Sequence, residues 1–144
     1  GYMSSRIITK TDRFCCASIQ APVINWITMD FTSDIGIWFS PDQTAAEDPF
    51  DYKALWETSP LKYAENVHTP ALFLHGEDDW RCPLWEGMQM MQALTVQGIE
   101  TRMVIFKNGS HNMHYIGLPQ IKIRRLEEIL QWFGKHTSRE KYSS

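Results

Sequence analysis

Two short stretches gather the side chains that could move protons. Gly76-Glu77-Asp78-Asp79-Trp80-Arg81-Cys82-Pro83 sets three carboxylates before an arginine and a cysteine, and Asn108-Gly109-Ser110-His111-Asn112-Met113-His114 carries two imidazoles. A carboxylate that accepts a hydrogen bond from one imidazole nitrogen fixes the ring's tautomer and stabilises its protonated form. The other nitrogen can then take a proton from a nucleophile. An acid from the first stretch and a histidine from the second would supply two thirds of a catalytic triad, although type and spacing alone do not separate such a pair from loop charges and a turn histidine. His111, His114 and Cys82 lack the paired spacing of a zinc site, so no metal is expected. Cys82 makes a poor nucleophile, with Pro83 directly behind it at a helix start. Arg81 is open to two roles, a contact to a substrate carbonyl or carboxylate, or an ion pair on the surface.

For the two stretches to meet, each must leave the C-terminal end of a strand in one parallel sheet, because those ends share a rim where loops are free to vary. The sequence supplies such strands. Ala71 to His75 is a compact apolar run stopped by Gly76, and Thr101 to Phe106 reads as another strand. Between them Pro83 opens a helix with Leu84, Met88, Met91 and Leu94 on one face, closed by Gly98. Upstream, Tyr2 to Thr9 can form a short helix, and Phe14 to Ala21 reads as a strand with apolar residues on both faces, halted by Pro22. From Ile24 to Asn66 the period is lost and aromatic residues alternate with polar ones, which predicts short helices joined by loops. Most of those aromatics are expected to pack on the sheet, with a minority such as Trp26 lining a substrate pocket. The last element, about Gln120 to Phe133, is amphipathic through Ile123, Leu126, Leu130 and Phe133, with Arg124 and Glu128 pairing on the wet face. Gly134 ends it, and 135–144 is expected to be a frayed tail. The alternation predicts an α/β fold with three parallel strands and flanking helices.

Composition excludes several function classes. A chain of 144 residues, 43% hydrophobic and 22% charged, can bury a core as one domain. With 14 Lys and Arg against 17 Asp and Glu the net charge is −3, which gives no electrostatic reason to hold nucleic acid. Apolar runs such as Ala71 to Leu74 are far short of the roughly 18 residues of a membrane span, so no membrane partner is expected. The three cysteines, Cys15, Cys16 and Cys82, are an odd number, and the adjacent pair falls in the first buried strand. Reduced thiols in a cytoplasmic protein are therefore expected. The opening Gly-Tyr-Met-Ser-Ser shows neither a basic leader nor an apolar signal region.

Three signatures, Gly1-Tyr2-Met3, His75-Gly76-Glu77-Asp78-Asp79-Trp80-Arg81-Cys82-Pro83 and Asn108-Gly109-Ser110-His111-Asn112, resemble successive motifs of the catalytic domain of the prolyl oligopeptidase superfamily of serine peptidases. Ala21-Pro22-Val23-Ile24-Asn25-Trp26, Thr32-Ser33-Asp34-Ile35-Gly36, Ser59-Pro60-Leu61-Lys62-Tyr63-Ala64 and Arg124-Arg125-Leu126 are most similar to its acylaminoacyl-peptidase branch. The resemblance implies the C-terminal half of an α/β-hydrolase fold, a peptide substrate, no cofactor, and hydrolysis of short or N-acylated peptides by acyl transfer. It implies that Asp79, three residues past Gly76, is the triad acid and that His111 is the general base. Asp78 and Glu77 would then be solvated neighbours.

The family's nucleophile lies in Gly-x-Ser-x-Gly-Gly-Tyr-Met. This chain opens on Gly-Tyr-Met, so the resemblance puts the serine three residues ahead of Gly1. None of the serines present has a glycine two residues away on both sides. The expectation is therefore that residues 1–144 form the C-terminal portion of a catalytic domain and are inactive alone. The strand near Phe14 would lack a neighbour, and self-association through that sheet edge is expected. The competing expectation is a stand-alone interaction or binding module of hydrolase ancestry.

Overall fold

Apolar runs punctuated by turn formers resolve, in the computed structural model, into an alternating series of helices and strands over residues 1–137, the residues the structure describes. In chain order these are α1 (Tyr2–Ile8), β1 (Ala17–Gln20), α2 (Trp26–Thr32), α3 (Gly36–Gln43), α4 (Tyr52–Thr58), a 3-10 stretch (Pro60–Asn66), β2 (Ala71–Gly76), α5 (Leu84–Val96), β3 (Thr101–Phe106), α6 (Met113–Ile116) and α7 (Pro119–Thr137). The sheet has the order β1-β2-β3, all parallel, with Ala71 opposite both Ala17 and Thr101, and Gly76 opposite Phe106. This is the expected α/β arrangement of three parallel strands with flanking helices.

β2 is the central strand, and all six of its residues are buried because helices cover both faces of the sheet. Ala71 and Phe73 pack with Ile8, Ile19, Met90 and Leu94 on the face covered by α1 and α5. Leu72 and Leu74 pack with Phe106, Met113, Ile121 and Trp132 on the face covered by α6 and α7. Phe73, Leu72 and Leu74 are fully enclosed, each worth about 2 kcal/mol of apolar burial. A third cluster, with Trp26, Met29, Leu55 and Cys82 at its centre, lies among α2, α4 and the segment after β2. No helix among the described residues is long and apolar enough to cross a membrane.

Three elements differ from the sequence expectation. β1 begins at Ala17 rather than Phe14, so Cys15 is exposed ahead of the strand while Cys16 is buried; Cys15, Cys16 and Cys82 are all free thiols. α5 buries Glu86, Gly87, Met90 and Leu94 and leaves Met88 exposed. The Glu86 carboxylate turns the helix by about one residue, because it accepts hydrogen bonds from the amides of Ile24 and Asn25 at 2.9 and 2.8 Å and from the Thr28 hydroxyl at the start of α2.

The largest difference is in α7. Its inner face is Ile121, Glu128, Trp132 and His136, and the stripe expected inside faces outward, with Ile123 59% and Leu130 71% exposed. Glu128, expected on the wet face, is buried against the sheet. It accepts from Nε and Nη2 of Arg102 on β3, both at 2.9 Å, and also pairs with Arg124. Glu128, held by the Arg102 fork, and the bulk of Trp132 occupy the inner face in place of the expected stripe. α7 also runs through Gly134 to Thr137, whose hydroxyl donates to the carbonyl of Phe133. Of the tail expected to fray, 135–137 is therefore helical and 138–144 lies outside the described residues.

Candidate active site

β2 and β3 end level with each other, so the segments that follow them leave the sheet side by side. Backbone joins them directly. The Glu77 amide donates to the carbonyl of Phe106, and the Asp78 amide to the carbonyl of Gly109, both at 2.9 Å. Gly76 permits this closeness: a Cβ there would fall far inside contact distance of the Gly109 carbonyl oxygen and 2.6 Å from its carbon. Asn108 takes the left-handed conformation at φ 58°, a turn position asparagine tolerates.

The outcome is a hydrogen-bonded acid and imidazole. Asp79 is 3% exposed, while Glu77 and Asp78, the two carboxylates just before it, point to solvent. Its Oδ1 accepts from the amides of Arg81 at 3.1 Å and Cys82 at 2.8 Å, and its Oδ2 lies 2.9 Å from Nδ1 of His111. A carboxylate only accepts, so Nδ1 of His111 carries the hydrogen and Nε2 of the neutral ring keeps the lone pair. The His111 side chain is 33% exposed and borders two cavities. One, of about 270 Å³, is lined by Gly1, Gln20, Ala21, Met113, His114 and Arg125. The other, of about 290 Å³, lies among Asp34, Asp78, Trp80, Arg81, Ser110, Asn112 and Ile116. Ala21, on the wall of the first, holds a positive φ of 41°, local backbone strain of the kind found beside functional sites. A larger cavity of about 420 Å³ lies at the opposite end of β3, where Arg102 is already paired with Glu128 and Lys135 with Glu100.

Arg81 makes an ion pair on the surface. Its Nε and Nη2 donate to the two oxygens of Asp34 at 2.8 and 3.2 Å, and the guanidinium holds that carboxyl below its ordinary range. The Ser33 hydroxyl donates to the Arg81 carbonyl and the Asp34 amide to the Trp80 carbonyl, so the segment carrying Asp79 is strapped to the turn between α2 and α3. Asp34 lies 47 residues away in sequence, and no spacing rule would have linked the two. Trp26, expected on a pocket wall, is instead 3% exposed in the core. It is packed between Tyr2 at 5.7 Å and Phe39 at 6.0 Å, so it offers no open face to a substrate. Burial pushes the Cys82 thiol up to about 12, which leaves it protonated and unreactive at neutral pH. His114 is exposed and beside the first cavity.

Known proteins carry the same arrangement of sequence and fold. The profile described as the prolyl oligopeptidase family matches residues 1–140. The uncharacterized peptidase YuxL of Bacillus subtilis is 44% identical over 136 residues, which is 94% of this chain and 21% of that protein. The acylamino-acid-releasing enzyme of Arabidopsis thaliana is 29% identical over 94% of this chain and 18% of its own length. The uncomplexed acylaminoacyl peptidase of Pyrococcus horikoshii superposes with a TM-score of 0.87 at 31% identity, covering 94% of this chain and 22% of that one. The chain thus spans about a fifth of the length of these relatives. With a family profile matched almost end to end and its strand-tip acid and histidine in hydrogen-bond contact, the chain belongs to the prolyl oligopeptidase family.

Proposed function

We propose that this chain contributes the acid and the base of a Ser-Asp-His site to a longer serine peptidase that hydrolyses short or N-acylated peptides. The observation that carries the reading is the 2.9 Å hydrogen bond between buried Asp79 and half-buried His111. Nε2 of His111 takes the proton of the attacking serine hydroxyl, the ring becomes an imidazolium stabilised by Asp79, and the same proton passes to the departing amine. Water then repeats the cycle to release the acyl group. The names of the relatives favour an acylated N-terminal residue as substrate. In this reading the serine and the oxyanion donors come from residues ahead of Gly1 in the longer polypeptide, and the 144 residues alone are inactive. The cytoplasm is the proposed setting, a reducing compartment that suits three free thiols.

A fluorophosphonate probe tests the division of labour. The longer protein is expected to be labelled at a serine ahead of Gly1, and the 144-residue chain is expected to stay unlabelled. Labelling of the short chain that disappears in His111→Ala would put the nucleophile inside it and overturn that part of the reading.

The outer edge of β1 has no strand beside it among the described residues, and the side chains of Ile7 and Phe14 are exposed nearby. Unpaired strand amides next to apolar surface invite pairing with a second copy. The 144-residue chain is therefore expected to sediment as dimers or larger species at micromolar concentration, and a single monomeric boundary there would refute the edge contact.

A further inference from the structure

We propose that His75 is a positioning residue for the Asp79 and His111 pair: its buried ring braces the carbonyl of Cys82, so that the Cys82 amide holds Oδ1 of Asp79 and Oδ2 is turned to His111. The inference rests on the reading of Asp79 as acid and His111 as base.

His75 is the fifth residue of β2, and strand alternation puts it on the same face as Phe73, toward α5. Its side chain is wholly buried. Nε2 lies 2.7 Å from the Cys82 carbonyl, which can only accept, so Nε2 carries the hydrogen. The same Nε2 is 3.6 Å from Oδ2 of Asp79, so the carboxylate sits between two imidazoles, His111 toward the cavities and His75 behind. Among the described residues Nδ1 of His75 has no hydrogen-bond partner, and it packs against Gly87 of α5, where an added Cβ would lie 2.8 Å from it. A protonated ring would need an acceptor at Nδ1, and among the described residues none is there.

Burial accordingly holds His75 below the ordinary imidazole range, against the opposing pull of the Cys82 carbonyl and Asp79. The charged groups that face it are Asp79 and His111; Glu86, next to Gly87 on α5, turns its carboxylate to Ile24 and Asn25 instead. A ring that stays neutral while His111 gains and loses its proton donates one hydrogen bond throughout. Cys82 is thereby held at its carbonyl, in the peptide to Pro83, by His75, while its amide, in the peptide before it, donates to Asp79.

The test uses the longer, active peptidase. His75→Leu keeps the volume and removes the donor; kcat is expected to fall on the order of 10- to 100-fold with KM within about twofold, and the acid limb of the pH profile, which reports His111, should move. His75→Gln, whose side-chain amide can donate to the same carbonyl, should recover most of kcat. Gly87→Ala pushes the ring from the opposite side without removing it, and should lower kcat about threefold or more with the same shift of the acid limb. A glutamine variant as impaired as the leucine variant would overturn the proposal, as would an alanine variant at position 87 with an unchanged kcat and pH profile. Should the leucine variant not fold, the other two decide alone. Retention of activity in His111→Ala would strike the acid-base reading itself, whereas loss of activity there, with the three variants near wild type, would remove only the role given to His75.

Discussion

Replacing His111 by alanine in the longer peptidase is expected to lower kcat/KM by on the order of 10⁴ while leaving the fold and the thermal midpoint nearly unchanged. The size follows from the geometry. His111 is the side chain that presents a ring nitrogen to the cavities while its other nitrogen is held by a buried carboxylate. In the proposed reading, truncating it deprives the nucleophile of its base and the departing amine of its proton donor in one step. Asp79→Asn should cost nearly as much, because an amide in that place offers its own hydrogens to Nδ1 and favours the tautomer with the lone pair on the wrong side. The double variant should be scarcely worse than either single one, since residues that act as a unit lose their effect together. Steady-state kinetics of the three proteins, with circular dichroism as the control, measures this. A loss of less than about tenfold in the alanine variant would rule out general-base catalysis by His111.

Gly76→Ala is expected to destabilise the chain by about 3 kcal/mol and to abolish activity in the longer protein. The two segments that bring Asp79 and His111 together are in backbone contact at Gly76 and Gly109, and the three nearest neighbours of the added methyl, in Gly109 and Ser110, are main-chain atoms with no rotamer to yield. Relief requires the segments to part, which breaks the Asp78 to Gly109 hydrogen bond and then lengthens the Asp79 to His111 contact. Urea unfolding reads the first effect and turnover the second. A variant less than about 1 kcal/mol weaker than wild type, with the activity intact, would mean that the joint between the segments is looser than its distances.

The strands and the segments carrying the chemistry could be read from the sequence because each has a local signature. Ala71 to Gly76 is apolar throughout and ends in glycine, and Asn108-Gly109 announces a turn just before His111. Which of three adjacent carboxylates meets the histidine was not legible from composition; the family motif singled out Asp79, and that residue alone of the three is buried. The rotation of α5 and α7 was misread for one reason in both cases. A carboxylate on each helix, Glu86 and Glu128, has distant partners that pull it inward, and hydrophobic periodicity counts it as a surface residue. Trp26 shows the converse: an aromatic in an irregular stretch has no periodicity to place it, and its neighbours Tyr2 and Phe39 come from separate helices.

Beside the Asp79 and His111 pair, the two loops are held together by two hydrogen bonds between peptide groups and one from the Asn108 amide to the Glu77 carboxylate. The side chains at 78, 80, 110 and 112 therefore stand on a frame they do not build, and the acid and imidazole at its centre are insulated from their identity. In the proposed peptidase, substrate preference is then free to drift at those sites without the proton relay having to be invented again.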